Sequence, residues 1–447
     1  MPMASISRWT LAYFGCALTA LVIALGLMGA GFGYPHVGLM EPQTLIIVHL
    51  LAIGWLTLLM LGALFQFLPV LVGGHLRWAG LAPVALVFLL VGLCLLIAGF
   101  GAIDGWPLPP EILPLGGILL LIGLSLAAAI LFATLLHAKT IPLPAGFVAI
   151  AVLSVLITAL LGETLASAIA GLFGGDFAVA IITHGVALHA GFGLGGWLTF
   201  AAMGVSYRLV SMFLIAPERY GPLARTAFFG VIFALAMLCM SLGVLLTFNA
   251  PLPYSLGLAG LAALLAIAAY IGDMRKFYRA RRRRELELHM LSAVAAFAAL
   301  PIGGLVLVMA LVLGSEGALA ASVYILALGW LGGLGLAMLY KIVPFLTWLE
   351  CFAPFMGRKP TPRVQDLVRE DHAKLWFALY FAALGLGALA LIANWGAVLQ
   401  MATSMQTLSV LLLIHQFYRA RLLADLPDAW RDHQPPRLFL PRQRSFL

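Results

Sequence analysis

Twelve times along its 447 residues the chain carries a predominantly apolar run about as long as a bilayer is thick. A helix crosses the hydrocarbon layer in ~20 residues, rising ~1.5 Å with each. The runs fall near 9–32, 44–72, 80–103, 113–136, 145–172, 177–207, 226–248, 254–275, 290–313, 318–347, 374–395 and 398–418. Composition agrees: 63 % hydrophobic residues, 9 % charged and a mean hydropathy of +1.09 exclude an ordinary soluble protein. The first run is too long for a cleavable signal peptide and lacks a small-residue cleavage site. Cys16, Cys94, Cys239 and Cys351 stand singly, with no spacing for a disulfide or zinc framework.

The charges have a membrane explanation. If the N-terminus is inside and the runs alternate, all 25 Lys and Arg residues fall on the inner side or at that boundary. The outer loops, around 34–43, 104–111, 174–176, 249–253, 315–317 and 394–395, carry none. This positive-inside bias predicts an inner (cytoplasmic) membrane of bacterial type with both termini cytoplasmic. The net charge of +8 therefore implies membrane lipid rather than nucleic acid as a partner. Lys276, Arg279, Arg281, Arg282, Arg283 and Arg284 form a basic cluster that either attracts anionic headgroups or fixes topology.

A repeat orders the runs. Gly54-Trp55-Leu56, followed by Phe65-Gln66, returns as Gly196-Trp197-Leu198 with Tyr207-Arg208, and as Gly329-Trp330-Leu331 with Tyr340-Lys341. The chain is expected to be one four-helix unit used three times: residues 1–139, 140–284 and 285–424, with a cytoplasmic tail at 425–447. The predicted fold is an all-α integral membrane protein, twelve transmembrane helices in three pseudo-threefold arcs of four. The Trp-bearing helices are expected innermost.

Ionisable groups at membrane depth are costly, at least ~2.5 kcal/mol by insertion scales, and mark candidate sites. Six of the ten histidines fall in loops or tails: His36, His75, His137, His289, His372 and His433. His49, His184, His189 and His415 lie within runs, and Glu163 is the clear intramembrane carboxylate. His49, His184, His189 and Glu163 share the outer half, whereas His415 sits near the inner boundary. Tyr324 occupies the place in the third unit that His49 holds in the first. On an unbroken helix His184 and His189 are rotated ~140° apart, so only one of them can serve a given metal. His189 shares its face with Gly185, Gly193 and Gly196, which suits either a flat ring laid against the backbone or close helix packing. Thr44, Glu163 and Thr183 are the candidate hydrogen-bond partners for these imidazoles.

The chain resembles the heme-copper oxidase subunit I superfamily, above all its divergent members: the nitric oxide reductase-like and C-type oxidase catalytic subunits and the NnrS-type membrane proteins. The resemblance rests on twelve spans in three arcs, on VHLLAIGWLTLLMLGALFQFLPVL in the second span and on THGVALHAGFGLGGWLTF in the sixth. It implies a low-spin heme ligand at His49, and a metal ligand at His184 or His189. It implies one or two b-type hemes, with copper also open. The tenth span, SVYILALGWLGGLGLAMLYKIVPF, lacks the histidines of the oxidases, and TAFFGVIFALAMLCMSLGVLL in the seventh lacks the copper pair. The implied role is therefore electron transfer or nitric oxide handling, with a redox partner or small gaseous ligand, rather than oxygen reduction. An oxidoreductase activity is left open. The rival reading is a metal-free transporter or assembly factor in which the histidines are structural.

Overall fold

The structure, a computed structural model, describes residues 9–218, 220–250, 253–427, 430 and 435–439. His433 and much of the tail expected at 425–447 lie outside the described residues. Among the described residues twelve helices are long and apolar enough to cross a membrane, and the protein is an all-α membrane protein. They are α1 (Thr10–Gly29), α2 (Pro42–Val72), α3 (Ala79–Ile103), α4 (Ile112–Leu136), α5 (Leu143–Ile169) and α6 (Gly175–Leu214). They continue with α7 (Pro222–Phe248), α8 (Tyr254–Arg279), α9 (Leu288–Leu313), α10 (Glu316–Cys351), α11 (Glu370–Ile392) and α12 (Gly396–Arg421).

The chain falls into two compact units, one of residues 40–285 with α2 to α8, the other of residues 1–39 and 286–447 with α1 and α9 to α12. Compactness therefore cuts the chain after Leu39 and Glu285, while the sequence period cuts it at 139 and 284. Helix α1 packs on α12 at the far end of the chain. Local pairing still follows the repeat: α3 packs on α4, α7 on α8 and α11 on α12.

Small residues make these pairs close. Gly92 and Gly99 of α3 face Leu120 and Leu113 of α4, and Gly116 returns the contact against Leu96. A Cβ on Gly99 would stand 2.4 Å from the Leu113 Cα, and one on Gly116 would stand 2.5 Å from the Leu96 nitrogen. The obstacle is backbone, so an added methyl cannot be absorbed by a rotamer change. In a bilayer, where lipid is as apolar as leucine, such packing is what holds helices together. Gly99→Ala is expected to cost about 1–3 kcal/mol through overpacking. Gly26→Ala on α1, where nothing lies within 4 Å, should be neutral or stabilising. Thermal unfolding in detergent compares the two.

The three Trp helices are the longest, with 31, 40 and 36 residues. Each departs from α-helical bonding at the same place. The stretches Leu50–Thr57, Gly191–Thr199 and Ile325–Gly332 are π-helical. In each, an amide donates to a carbonyl five residues back: Leu58 to Ile53, Phe200 to Gly195 and Gly333 to Leu328. Acceptor and donor sit two residues before and three after Trp55, Trp197 and Trp330 alike. All three tryptophans are buried. The glycines before Trp197 and Trp330 admit a neighbouring helix: a Cβ on Gly196 would meet Ser154 at 2.8 Å, and one on Gly329 would meet Leu384 at 2.7 Å. π-Turns are rare and concentrate at functional sites, so this repeat is structural as well as textual.

Helix α6 runs further than expected. The run expected to end near 207 stays helical to Leu214 and ends where Ile215 takes a left-handed φ of 53°. Residues 196–211 of α6 are buried except Arg208, whereas much of 175–195 is open.

At the helix ends of the α1 and α9–α12 unit, buried charges are paired. His289, expected in a loop, is the second residue of α9, buried 3.4 Å from a Glu287 oxygen that also receives Lys341. Asp425, outside the spans, accepts from Arg419 at 2.6 and 3.1 Å, from Arg369 at 2.8 Å and from Gln416 at 3.1 Å. Burial alone would raise its carboxyl, but these donors, Arg419 foremost, hold it below the ordinary carboxylate range. A depressed folded value contributes stability that is complete above the unfolded value of ~3.9 and is lost as pH falls through the folded one. The unfolding midpoint should therefore drop more steeply below ~pH 4 in the wild type than in Asp425→Asn.

Candidate functional site

The unit of α2 to α8 brings two of the intramembrane histidines together. His49 closes the first α-helical segment of α2, immediately before the π-stretch at Leu50. His189 lies in Val186–Ala190, a short α-helical piece of α6 between the π-stretches Ile181–Gly185 and Gly191–Thr199. Their ring centroids lie 6.3 Å apart, with the planes inclined by 33°.

Both rings are held the same way. The His49 Nδ1 lies 2.8 Å from the Leu45 carbonyl one turn upstream, and the His189 Nδ1 lies 3.0 Å from the Thr158 carbonyl of α5. A carbonyl only accepts, so each Nδ1 carries the hydrogen and each Nε2 keeps its lone pair. This is the tautomer that a metal-binding imidazole needs, with its second nitrogen hydrogen-bonded to fix its aim. The anchors are backbone carbonyls, in place of the Thr44, Glu163 and Thr183 side chains expected from depth. The reason is local: along α2 the carbonyl four residues back is the nearest acceptor. For His189 it is supplied by α5, where Thr158 spends its own hydroxyl on Ser154.

Packing completes the clamp. The Phe100 ring of α3 lies 5.2 Å from that of His49, inclined by 36°. On the other side Gly162 of α5 presses on His189, where a Cβ would come within 2.9 Å of Cε1. Beside it Leu161, Leu165, Ile181, Leu188, Phe192 and Leu245 form a buried apolar cluster across α5, α6 and α7.

The other expected residues lie elsewhere. Glu163 turns to α4: Ser167 donates to its Oε1 at 2.8 Å, and its Oε2 sits where a Cβ of Gly117 would be. That Oε2 is buried and has no hydrogen-bond partner among the described residues. His184 lies in the Ile181–Gly185 π-stretch and makes no ring contact or hydrogen bond among the described residues. The ~140° rotation expected between His184 and His189 presumed a regular helix; the π-turns between and around them remove that regularity. His415 is exposed on α12, in the other unit. Tyr324, the counterpart of His49, is a packing residue: its hydroxyl donates to the Gln406 Oε1 at 2.5 Å and rests against Gly387.

Two imidazoles that turned their free nitrogens toward one another would fill opposite positions of one metal. At ~2.0–2.1 Å per metal–imidazole bond, ring centroids would stand roughly 6.4 Å apart. The observed 6.3 Å fits. Among the described residues no three His, Cys, Asp or Glu side chains gather as a metal cage. The pair therefore suits a group that brings its own equatorial ligands, as a heme does, better than a three-ligand copper site.

No protein-family model matches this chain, and no curated protein matches its sequence. Phe100, Thr158 and Gly162 were not singled out by the sequence. Gly162 stands beside Glu163, the one feature of α5 that drew attention, but a glycine in a helix full of small residues carries no signal of its own.

Proposed function

We propose that the protein is a heme-binding integral membrane protein in which His49 and His189 would together hold one b-type heme, and that it acts in electron transfer. The observation that carries this reading is the pair itself: two imidazoles at metal-bridging distance, each with Nδ1 spent on a carbonyl. Heme iron is commonly held by neutral histidine, with second-shell hydrogen bonds and burial tuning its potential. The resemblance to the heme-copper oxidase subunit I superfamily supports the same reading. It departs from that pattern in pairing the second span with the sixth. The one-sided Lys and Arg support both termini lying on the cytoplasmic side of an inner membrane.

The test is a visible spectrum of the protein purified in detergent. A Soret band that sharpens and shifts on dithionite reduction is expected, with a pyridine hemochrome assay returning protoheme. A colourless, iron-free preparation would contradict the proposal and favour the metal-free transporter or assembly factor.

A further inference from the structure

We propose that a groove between the positively charged ends of α2 and α6 binds one anionic phospholipid, with an acyl chain along its floor and the headgroup against Arg208, Arg282 and Arg283. The proposal is independent of the heme reading.

Two stripes build the groove. Phe67, Val70 and Leu71 come from the last turns of α2, and Val205, Arg208, Leu209 and Met212 from the last turns of α6. Spacings of three, four and seven residues put each set on one helix face. Val205 and Leu209 are buried and form the floor, while Val70 and Met212 are exposed at the rim. The groove runs ~10 Å along α6 at ~1.5 Å per residue. It stops two residues short of the helix end at Leu214, so one end of it meets the membrane boundary. Apart from Arg208 its lining is apolar, which suits an acyl chain and not a water-soluble anion.

Arg208 supplies the polar end. Its Nη1 donates to the Glu218 carboxylate, which also accepts from the Tyr220 hydroxyl, so the guanidinium is held at the groove. Its Nε is buried and has no hydrogen-bond partner among the described residues. A buried donor left unpaired is costly, and a phosphate or ester oxygen of a lipid would take it. Further cations are folded over the same helix end. The amides of Arg282 and Arg283 donate to the Leu214 carbonyl at 3.2 and 3.4 Å, which lays the basic run after α8 across the end of α6. Between 204 and 285 the chain carries ten Lys and Arg against three Asp and Glu, so Glu218 does not neutralise the site. Each cation near a membrane surface is worth about five-fold in affinity for anionic lipid. Fixing topology needs that charge but no groove beside it; the groove is what singles out one bound lipid from a diffuse headgroup layer.

The experiment is native mass spectrometry of the full-length protein, delipidated in detergent and titrated with palmitoyl-oleoyl phosphatidylglycerol or with phosphatidylcholine of the same chains. One phosphatidylglycerol should bind at least about ten-fold tighter than phosphatidylcholine. Arg282→Gln combined with Arg283→Gln, which keeps both backbone amides, should remove most of that preference. Val70→Phe, which fills the groove from its exposed rim, should weaken phosphatidylglycerol at least about ten-fold, the worth of two buried methylenes. Lys359→Gln removes an exposed cation from the loop between α10 and α11, in the other unit, and should change nothing. Equal binding of the two lipids would overturn the proposal. So would an unaltered affinity in Val70→Phe, which would leave only a charged surface, or an equal loss in Lys359→Gln, which would show unspecific attraction. Displacement of the lipid by an equal concentration of inorganic phosphate would assign the cations to a free anion and overturn it too.

Discussion

Replacing His49 with Ala should leave the protein in the membrane and, if the proposed site holds a heme, strip it of that heme. Loss of a hydrogen bond that merely supports a ligand weakens metal binding 10–100-fold in typical sites, so loss of the ligand should lower heme occupancy by at least about ten-fold. His189→Ala should do the same or leave a weakly held heme, if the two imidazoles share one iron as proposed. The fold should survive either change. Both rings are only partly buried by protein, and their helices are held by packing elsewhere, at Trp55 and Trp197 and at the Trp197 indole, which donates to Thr57 at 3.0 Å. His184→Ala and His415→Ala should leave the spectrum unchanged, the first because it lies outside the pair and the second because it is exposed on α12. Hemochrome content per chain, measured on all four variants, separates ligand from bystander.

The largest loss of stability is expected at Arg421→Met. This guanidinium is buried at the end of α12, where it donates to the Thr347 hydroxyl at 3.1 Å and to the Glu350 carboxylate at 3.0 Å, both on α10. It also donates to the Arg437 carbonyl, tying the chain beyond α12 back to the helix ends. Glu350 is itself buried, with 8 % of its side chain exposed. Removing one member of such a pair leaves an uncompensated charge and typically costs about 3–5 kcal/mol, more than the intact pair contributes relative to an apolar replacement. Arg421→Met with Glu350→Leu should therefore be less damaging than Arg421→Met alone. Thermal or chemical unfolding of the two variants in detergent checks the order, and a double variant less stable than the single one would refute it.

The spans were legible because length and hydropathy report directly on the solvent that a helix must cross. Their ends were less so: α6 reaches Leu214 because nothing before Ile215 breaks it, and hydropathy does not see that. The threefold Gly-Trp-Leu marked the positions of the π-turns without revealing their kind, since a helix bonded five residues back carries the same residues as one bonded four back. His49, His184 and His189 were legible as candidates, because ionisable groups in the membrane are few. Which two would meet was not legible, since π-turns change the phase on which any helical-wheel argument depends. The anchors were hidden for a different reason. Every residue has a carbonyl, so nothing distinguishes Leu45 or Thr158 in the sequence, and the contact of Gly162 with His189 exists only once α5 and α6 are packed together.

The most direct test of the central claim is a cryo-electron-microscopy map of the native protein, purified from membranes without added cofactor, at a resolution that shows side chains. The account predicts a flat macrocycle density between α2 and α6, joined at its centre to His49 on one face and His189 on the other. Two imidazoles separated by lipid, water or empty space would contradict it.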